Sequence, residues 1–470
     1  MTASRNTPLN IYLAKTHLLF GYAWGYGDFG QLGNRRTFKS SFTPLEVRLG
    51  GKGRVVRVFA GDMHSFFVTE MGTMYVCGCG KFGRLGLPPH EDDCGTPTCV
   101  VLSRENSEVL MKVSCGHNYT LAITDGGQVW SWGCGRFGVL GQGSAANHVT
   151  SPHRINALRH TQITDVSSGY SHCAAVSMDG RVYVWGKGWD GQLGLGTDVA
   201  CKHEPVWLRA PDTILAHLVT VACSKTENPG FTLALSLNGQ VFAWGNNSRG
   251  QLGLADRDDR MRPVRIPQAH FGYQSVMHIA VGGQHAAAIT YDQRLWTWGH
   301  GKEGQLGHSF DETTDDWCAP QVDAMPPKEL IVARPLPVHE LNTHSRVLQV
   351  ECGAFHTVAV AERRVDNTRK TNIVIRTIPC SVDTDATHVT SPHRINTLRH
   401  TQITDVSSGH NHCAAVSMDG RVYVWGKGRD GQLGLGTDVA CKHEPVWLRA
   451  PDTILAHLVT VACSKTENPV

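Results

Sequence analysis

Five histidines recur at one position of a repeated motif, and their spacing is the first feature that could support chemistry. Each is the last residue of the pattern G-x-x-H, and Tyr119 holds the same position once; the histidines are His64, His172, His285, His356 and His412. Imidazole rings bind metals, carry protons or form hydrogen bonds. One histidine per repeat lacks the short-range ligand pairs of a zinc site, so we predict no metal centre. Either each ring bonds to the backbone of a neighbouring repeat, or the rings form a protein-binding face with Asp62 and Tyr119.

A second motif, G-x-G-x-x-G, matches the dinucleotide-binding fingerprint. It begins at Gly25, Gly78, Gly133, Gly186, Gly299 and Gly426. In a nucleotide site these glycines open a helix whose N-terminus holds a pyrophosphate. Here a strand precedes the motif, but Q-L-G or a related tripeptide follows it without helical periodicity. We therefore predict a structural turn and no cofactor.

Catalytic groups are not indicated by the remaining sequence. No paired carboxylates stand in a plausible site, and serine or cysteine triads converge only in space, so residue spacing cannot reveal them. The sequence thus offers no catalytic constellation. It favours a binding protein over an enzyme.

Both motifs belong to one internal repeat, which must position these residues. The block W-G-x-G-x-x-G-x-L-G is present seven times, beginning at Trp24, Cys77, Trp132, Trp185, Trp244, Trp298 and Trp425. The first six copies recur at intervals of roughly 55 residues, close to the period of propeller repeats. The last gap, from Trp298 to Trp425, spans about two periods. The Trp or Cys follows the His or Tyr of its own repeat at one constant distance wherever both are present.

Each repeat is predicted to contain four short strands, exemplified by ITDVSSG, HCAAVS, RVYVWG and HEPVWL. Asp179-Gly180, Asn238-Gly239 and Asp419-Gly420 join the second and third strands, and such dipeptides suit tight hairpin turns. Repeats of about 50 residues with four antiparallel strands cannot bury their faces alone. We therefore expect them to pack side by side as the blades of a propeller, with the tryptophans at the blade interfaces.

The pairing of G-x-x-H with W-G-x-G-x-x-G-x-L-G resembles the regulator of chromosome condensation repeat family, over about residues 20–362 and 388–470. The resemblance implies an all-β fold, a seven-bladed β-propeller of four-stranded antiparallel blades, here with an irregular or surplus C-terminal part. We divide the chain into propeller repeats at 1–362, a degenerate, irregular segment at 363–387, and a partial last repeat at 388–470 that is either part of the propeller or a surplus blade.

The resemblance also implies a function. Members of this family bind proteins, and we expect an interaction scaffold or regulatory binding module; the alternative is a guanine-nucleotide exchange factor for a small Ran-like GTPase. In exchange factors, acidic residues inside G-x-x-H contribute to the GTPase-binding face, whereas this chain has only Asp62 there. The DNA- and histone-binding members carry a basic N-terminal tail, but residues 1–16 hold only Arg5 and Lys15.

Residues 148–229 and 388–469 are nearly duplicates, with 78 identities in 82 positions. The differences are Ala157/Thr397, Tyr170/His410, Ser171/Asn411 and Trp189/Arg429. In the related fold the two termini share a blade. We therefore expect the strands that end near Asp419 to pair with the N-terminal strands, which leaves the rest of the chain surplus. The alternative is that the final unit replaces the degenerate one.

One connection is longer than its counterparts. The step from Trp298 to His356 exceeds the same step elsewhere, such as that from Trp132 to His172, by about 17 residues. Long loops on rigid scaffolds are frequent binding elements, and exchange factors of the family use such an insertion against the GTPase. The loop is either a plain surface loop or a partner contact through Trp317, Pro326 and Pro327.

Composition excludes several other partners. The net charge is +3, with 44 basic and 41 acidic residues, so direct nucleic-acid binding is not expected. The apolar runs are strand-sized and no signal peptide is evident, so we predict no membrane association. The 15 cysteines are odd in number and scattered. This usage favours free thiols and an intracellular protein, either cytoplasmic or nuclear.

Overall fold

The structure is a computed structural model of the 470-residue chain. It describes the residues 21–25, 29–30, 32–33, 41–47, 49, 55–60, 64–88, 92–102, 108–143, 147–197, 199–209, 217–301, 305–308, 331–342, 345–352, 357–363, 373–378, 393–394, 398, 401–409, 412–427, 433, 435, 441–448 and 463.

Successive groups of four strands form separate antiparallel sheets, each in the order in which the chain visits them. Among the described residues there are seven such sheets and one two-stranded sheet. The two-stranded sheet and the first three complete sheets are β1 Gly21–Gly25 and β2 Ser41–Val47; β3 Val55–Ala60, β4 His64–Thr69, β5 Met74–Gly78 and β6 Cys94–Val100; β7 Leu110–Cys115, β8 Tyr119–Thr124, β9 Val129–Cys134 and β10 His148–Arg154; β11 Ile163–Ser168, β12 His172–Ser177, β13 Val182–Lys187 and β14 Cys201–Trp207.

The remaining four sheets continue the same order. They are β15 Leu218–Cys223, β16 Phe231–Ser236, β17 Val241–Gly245 and β18 Arg260–Arg265; β19 Val276–Val281, β20 His285–Thr290, β21 Leu295–His300 and β22 Ile331–Pro337; β23 Ser345–Cys352, β24 Thr357–Arg363, β25 Ile373–Ile378 and β26 His393–Arg394; β27 Ile403–Ser408, β28 His412–Ser417, β29 Val422–Lys427 and β30 Cys441–Trp447. Short helical turns lie in the connections, at Lys81–Gly83, Arg136–Gly138, Asn156–Leu158, Gln268–Phe271 and α1 His339–Asn342.

Tight hairpins join the second and third strands, as the dipeptides predict. Gly180 adopts φ +80°, in the left-handed region that favours glycine. The Ser177 hydroxyl closes the same turn by accepting the Arg181 N–H at 3.1 Å. The glycine that follows the tryptophan allows a close approach between strands, because a Cβ on Gly186 would lie 2.8 Å from the Cα of His172, its cross-strand partner.

The core lies between neighbouring sheets, as in a β-propeller. Trp132, Trp185, Trp244 and Trp298 are completely buried, which confirms their predicted place in the core. Trp132, for example, packs with Phe66 and Leu85 of the preceding sheet and its connection. Each sheet is therefore stabilised by the packing of its apolar side chains against the adjacent sheets.

Two expectations about irregular parts need correction. The segment 363–387 was expected to be irregular, yet it contains β25, which pairs with β24 because the edge of β24 has backbone groups that need partners. The strands that end near Asp419 do not pair with the N-terminus: β28 pairs with β29, and β27–β30 is a complete sheet. The long connection keeps its predicted excess: from the end of β21 at His300 to the start of β22 at Ile331 it is about 17 residues longer than the step from Lys187, the end of β13, to Cys201, the start of β14.

Candidate functional site

A recurrent set of hydrogen bonds at the start of the second strand links one sheet to the next. His64 opens β4, and its Nε2 lies 3.1 Å from the hydroxyl of Thr120 in β8 of the next sheet. Thr120 donates in turn to the carbonyl of Arg84 at 3.3 Å. The indole of Trp132 donates to that same carbonyl at 2.8 Å. Because the threonine proton is used on the carbonyl, His64 carries its proton on Nε2.

The same arrangement recurs in two further interfaces. His172 Nε2 lies 2.9 Å from the hydroxyl of Thr232, which donates to the Gln192 carbonyl at 2.9 Å. His285 and Thr357 repeat it, at 3.0 Å. In each case the carbonyl belongs to the residue before Leu in the x-L-G end of the glycine motif. The histidine motif and the glycine motif of one repeat therefore both bond to the same threonine of the next sheet.

Burial sets the protonation state of these rings. Burial lowers the pKa of His64 to about 3, with the nearby Arg84 cation as a second cause. Burial likewise lowers the pKa of His172 to about 3, with Lys187 contributing. Both rings are neutral at physiological pH. His64, His172 and His285 have at most 1% of their surface exposed, so they offer no side-chain surface to a partner.

Tyr119 is a variant of the same device. Its hydroxyl donates to the carbonyl of Gly169 at 2.9 Å, and the thiol of Cys173 in the next sheet lies 3.2 Å from it. Burial raises the pKa of Tyr119 well above its ordinary value. Tyr119 is therefore also structural, and a cysteine takes the place that threonine has opposite histidine.

The remaining predicted site residues fall into two groups. His412 opens β28 and is half-buried. The others lie outside the described residues; they are Asp62, His356, Trp317, Pro326 and Pro327.

Exposed aromatic residues surround the same end of the sheets. Trp189 has 62% of its surface exposed. Its ring meets the edge of Phe137 from the preceding repeat, with centroids 5.6 Å apart. The Arg136 guanidinium lies 4.6 Å from the Phe137 ring, and Lys187 Nζ lies 5.3 Å from the Trp189 ring. Lys187 itself is buried and pairs with Asp190 at 3.6 Å, so Trp189 and Arg136 are the exposed members of the group. We call these four residues the aromatic-cationic cluster.

Further aromatic contacts extend this surface to neighbouring repeats. His117 and Tyr170, at the first variable position of their G-x-x-Y or G-x-x-H motifs, stack with centroids 4.3 Å apart. Phe82, which is 37% exposed, stacks on His148 at 5.4 Å. The surface at this end therefore presents aromatic rings from three successive repeats, with the Arg136 guanidinium exposed beside one of them.

Metal and membrane chemistry receive no support from the described part of the chain. It contains no group of three or more histidine, cysteine or acidic side chains that could hold a metal ion. None of its helices is long and apolar enough to cross a membrane. Within it, no disulfide joins the cysteines.

Comparison with known families agrees with this geometry. The RCC1-like domain matches residues 20–371, which is most of the chain. The chain belongs to the RCC1-like family. The regulator of chromosome condensation (RCC1) repeat also matches residues 403–432 and 419–466, which include β27–β29.

Several RCC1-like relatives are similar in sequence. The ultraviolet-B receptor UVR8 of Arabidopsis thaliana is 34% identical over 54% of this chain and 55% of its own length. The human E3 ubiquitin-protein ligase HERC2 is 28% identical over 88% of this chain but only 7% of its own length. The secretion-regulating guanine nucleotide exchange factor of Bos taurus is 28% identical, over 72% of this chain and 71% of its own. The chain thus spans about half or less of the first two relatives.

Two solved structures share the fold. Human WBSCR16 has a TM-score of 0.62 over 94% of this chain and 96% of its own. Prp20p from Saccharomyces cerevisiae has a TM-score of 0.60 over 96% of this chain and 91% of its own. Both are 20% identical, and the likeness shows an all-β propeller with four-stranded antiparallel blades.

The interblade threonines of this RCC1-like chain were missed by the sequence analysis, although a signal existed. His64, His172 and His285 each have a threonine one repeat later, at the position after the His, Tyr or Phe that ends the motif there. Tyr119 has Cys173 there instead, and Phe231 has Ala286. Comparison of adjacent positions in successive repeats would have indicated the pairing.

Proposed function

We propose that this chain is a protein-binding propeller, a scaffold or regulatory module of the RCC1 type. The aromatic-cationic cluster, with Trp189 and Arg136 exposed, is the observation that carries the proposal. Large exposed aromatic rings and arginine are enriched where proteins bind one another. The rings also stand on a rigid base, because Lys187 of the cluster directly follows Gly186, the cross-strand partner of the buried His172.

The long connection supports the same surface. It leaves β21 at His300 and returns at Ile331, so it starts and ends at the end of the sheet where His285 pairs with Gly299. This is the end that carries the cluster in the earlier repeats. We include Trp317, Pro326, Pro327 and Asp62 in the proposed contact surface, with a protein as the partner.

Substitution at the two ends of the sheets tests the proposal. Trp189→Ala removes the largest exposed ring of the cluster. Tyr291→Ala is the matched control, because Tyr291 is 63% exposed but lies in the hairpin at the opposite end. Partners recovered with the wild type and quantified by mass spectrometry should be lost with Trp189→Ala and retained with Tyr291→Ala. Equal recovery of partners with both variants contradicts the proposal that the aromatic-cationic cluster binds them.

A second candidate function is nucleotide exchange on a small Ran-like GTPase. The solved structure of Prp20p is described with its binding to Gsp1p and histones, and a relative is named a guanine nucleotide exchange factor. Release of labelled GDP from a panel of small GTPases tests it. Accelerated release by the wild type would favour exchange over a scaffold role.

We also propose that the protein is intracellular, in the cytoplasm or the nucleus, which the absence of disulfides among the described residues supports.

We further propose that the blades form a seven-membered ring. The seven complete sheets among the described residues support this ring. Single-particle images viewed down the ring axis count the blades directly. A ring of six or eight blades would exclude the proposed closure.

A further inference from the structure

Three successive hairpins between second and third strands expose an apolar side chain at the same position. Met178, Leu237 and Tyr291 directly follow the second strand of their sheets, and 69%, 65% and 63% of their surface is exposed. The residues at this position in two other sheets are acidic and also exposed; they are Glu70 and Asp125. A charged residue therefore suits this turn position, and the fold does not require an apolar one. We call Met178, Leu237 and Tyr291 the apolar tips.

Backbone hydrogen bonds join the apolar tips into one surface. The hairpin of each sheet bonds to the first strand of the next, because the Leu218 N–H donates to the Gly180 carbonyl at 3.2 Å. The Val276 N–H likewise donates to the Gly239 carbonyl at 2.9 Å. Within each sheet, the N–H of the tip donates to the carbonyl that precedes the first strand, at 2.8–2.9 Å. The three tips are therefore presented side by side on a fixed backbone.

The charges beside the apolar tips are arranged symmetrically about Leu237. The first and third hairpins each contain an aspartate and, two residues later, an arginine, which form an ion pair at 3.2 Å. The pairs are Arg181–Asp179 and Arg294–Asp292. The middle hairpin has Asn238 and Gln240 at the same two positions. Two like ion pairs therefore flank a neutral centre.

This symmetry fits a second copy of the same surface. In a two-fold interface each surface must match itself, and a residue on the axis meets its own copy. A charge on the axis would face a like charge, which is unfavourable, whereas Leu237 would face leucine. On either side, Met178 of one copy would lie against Tyr291 of the other, and methionine sulfur packs favourably on aromatic rings. The flanking aspartates of one copy would then lie near the arginines of the other.

We propose that the apolar tips form the interface of a homodimer, with the two-fold axis at Leu237. Methionine, aromatic residues and arginine are enriched in interfaces between proteins. Trp207, which is 40% exposed, extends this surface, because the Arg181 guanidinium lies 4.8 Å from its ring. The aromatic-cationic cluster lies at the opposite end of the sheets, so the dimer leaves it accessible on both copies.

Exchange of charge at the axis tests the dimer. Leu237→Asp and Leu237→Lys each place like charges opposite one another. Each variant alone should raise the dissociation constant of the dimer at least about tenfold, measured by sedimentation velocity on the full chain. An equimolar mixture of the two variants should recover the dimer, because aspartate then faces lysine. Recovery also shows that both variants are folded.

Met418→Asp is the matched control. Met418 is 72% exposed, and its hairpin repeats the sequence of residues 177–181, but it lies outside the three successive sheets. This variant should leave the dissociation constant unchanged. An equal loss of the dimer with Met418→Asp overturns the proposal, as does a mixture that recovers no dimer.

The wild-type chain alone also tests the proposal. A wild type that stays monomeric up to its solubility limit overturns it. A monomeric wild type that captures a different protein through Leu237 would assign the surface to that partner, which also overturns it. Trp189→Ala should leave the dimer intact, and Tyr291→Ala should weaken the dimer without releasing partners bound at the aromatic-cationic cluster. The dimer and the proposed function therefore fail independently.

Discussion

Replacing Trp185 and Trp425 by phenylalanine, one variant at a time, applies the same change to two nearly identical sheets. The loss of ring volume is similar at both positions and largely cancels between the variants. What differs is the hydrogen bond: Trp185 donates to the Val139 carbonyl at 2.7 Å, whereas the indole nitrogen of Trp425 has no partner among the described residues. Trp185→Phe leaves the buried carbonyl with only the distant Cys173 thiol, while Trp425→Phe removes a donor that was not used.

The expected difference follows from the energy of one buried bond. Leaving a buried acceptor without its donor costs about 1–3 kcal/mol. Unfolding entropy is about 2.1 cal/mol/K per residue, or about 1 kcal/mol/K for a chain of this length if it unfolds as one unit. Trp185→Phe should therefore melt about 1–3 °C below Trp425→Phe.

Calorimetry measures this difference, and hydrogen exchange by mass spectrometry localises it. Repeat proteins need not unfold as a single unit. Exchange should therefore accelerate around β9 and β13 in Trp185→Phe and stay near the wild-type rate around β29 in Trp425→Phe. Equal melting temperatures together with equal exchange profiles would refute the reasoning that the neighbouring sheet satisfies the indole of Trp185 and not that of Trp425.

Three further predictions concern pH, the long connection and the chain end. Because the pKa of His64 and that of His172 are about 3 in the fold and about 6.5 unfolded, stability should hold above pH 6.5. Below that pH the free energy of unfolding should fall by about 1.4 kcal/mol per pH unit per histidine toward pH 3. Melting curves at several pH values check this, and the melting temperature of His172→Gln should depend less steeply on pH than that of the wild type. A melting temperature that does not change with pH contradicts the prediction. Deleting residues 311–328, which end before β22, should leave the melting temperature nearly unchanged and abolish partner binding. A large drop in the melting temperature would instead indicate that the connection has a structural role. Truncation after Asp419 removes β29 and β30 and should lower the melting temperature and solubility, whereas full stability would favour closure through the N-terminal strands.

Features encoded locally could be predicted from the sequence. The strand order follows from repeat spacing, and the Asp179-Gly180 turn follows from the positive φ that glycine supplies. Burial of Trp132 and its equivalents follows because an aromatic residue in a short alternating strand must face a core. Such features depend on neighbours in the chain, which the sequence displays directly.

Contacts between sheets could be predicted only in outline. His172 was expected to bond either to a neighbouring backbone or to a partner, but its neighbour is the Thr232 hydroxyl, 60 positions away. The sequence shows both residues without showing that successive sheets bring them together. The strand β25 was missed for a related reason, since it lacks the motif and forms as the partner of β24. The surface cluster of Phe137 and Trp189 was missed because the position of Trp189 carries unrelated residues in the other repeats, although Phe29 and Phe82 hold the same position as Phe137.

The duplicate sheets separate what a segment encodes from what its neighbour adds. Residues 163–187 and 403–427 fold into the same three strands with the same register, because strand pairing is decided within each sheet. At the other side of each sheet the outcome also repeats: the N–H of Cys463 donates to the Ser407 hydroxyl at 2.9 Å, as that of Cys223 donates to Ser167 at 3.0 Å. Toward the preceding sheet the described residues differ, because the Ser168 hydroxyl donates to the Ser114 carbonyl whereas the Ser408 hydroxyl has no hydrogen-bond partner. The sheet can therefore be copied as a unit, whereas the hydrogen bonds at its interface depend on whether the preceding neighbour supplies the x-Leu-Gly turn.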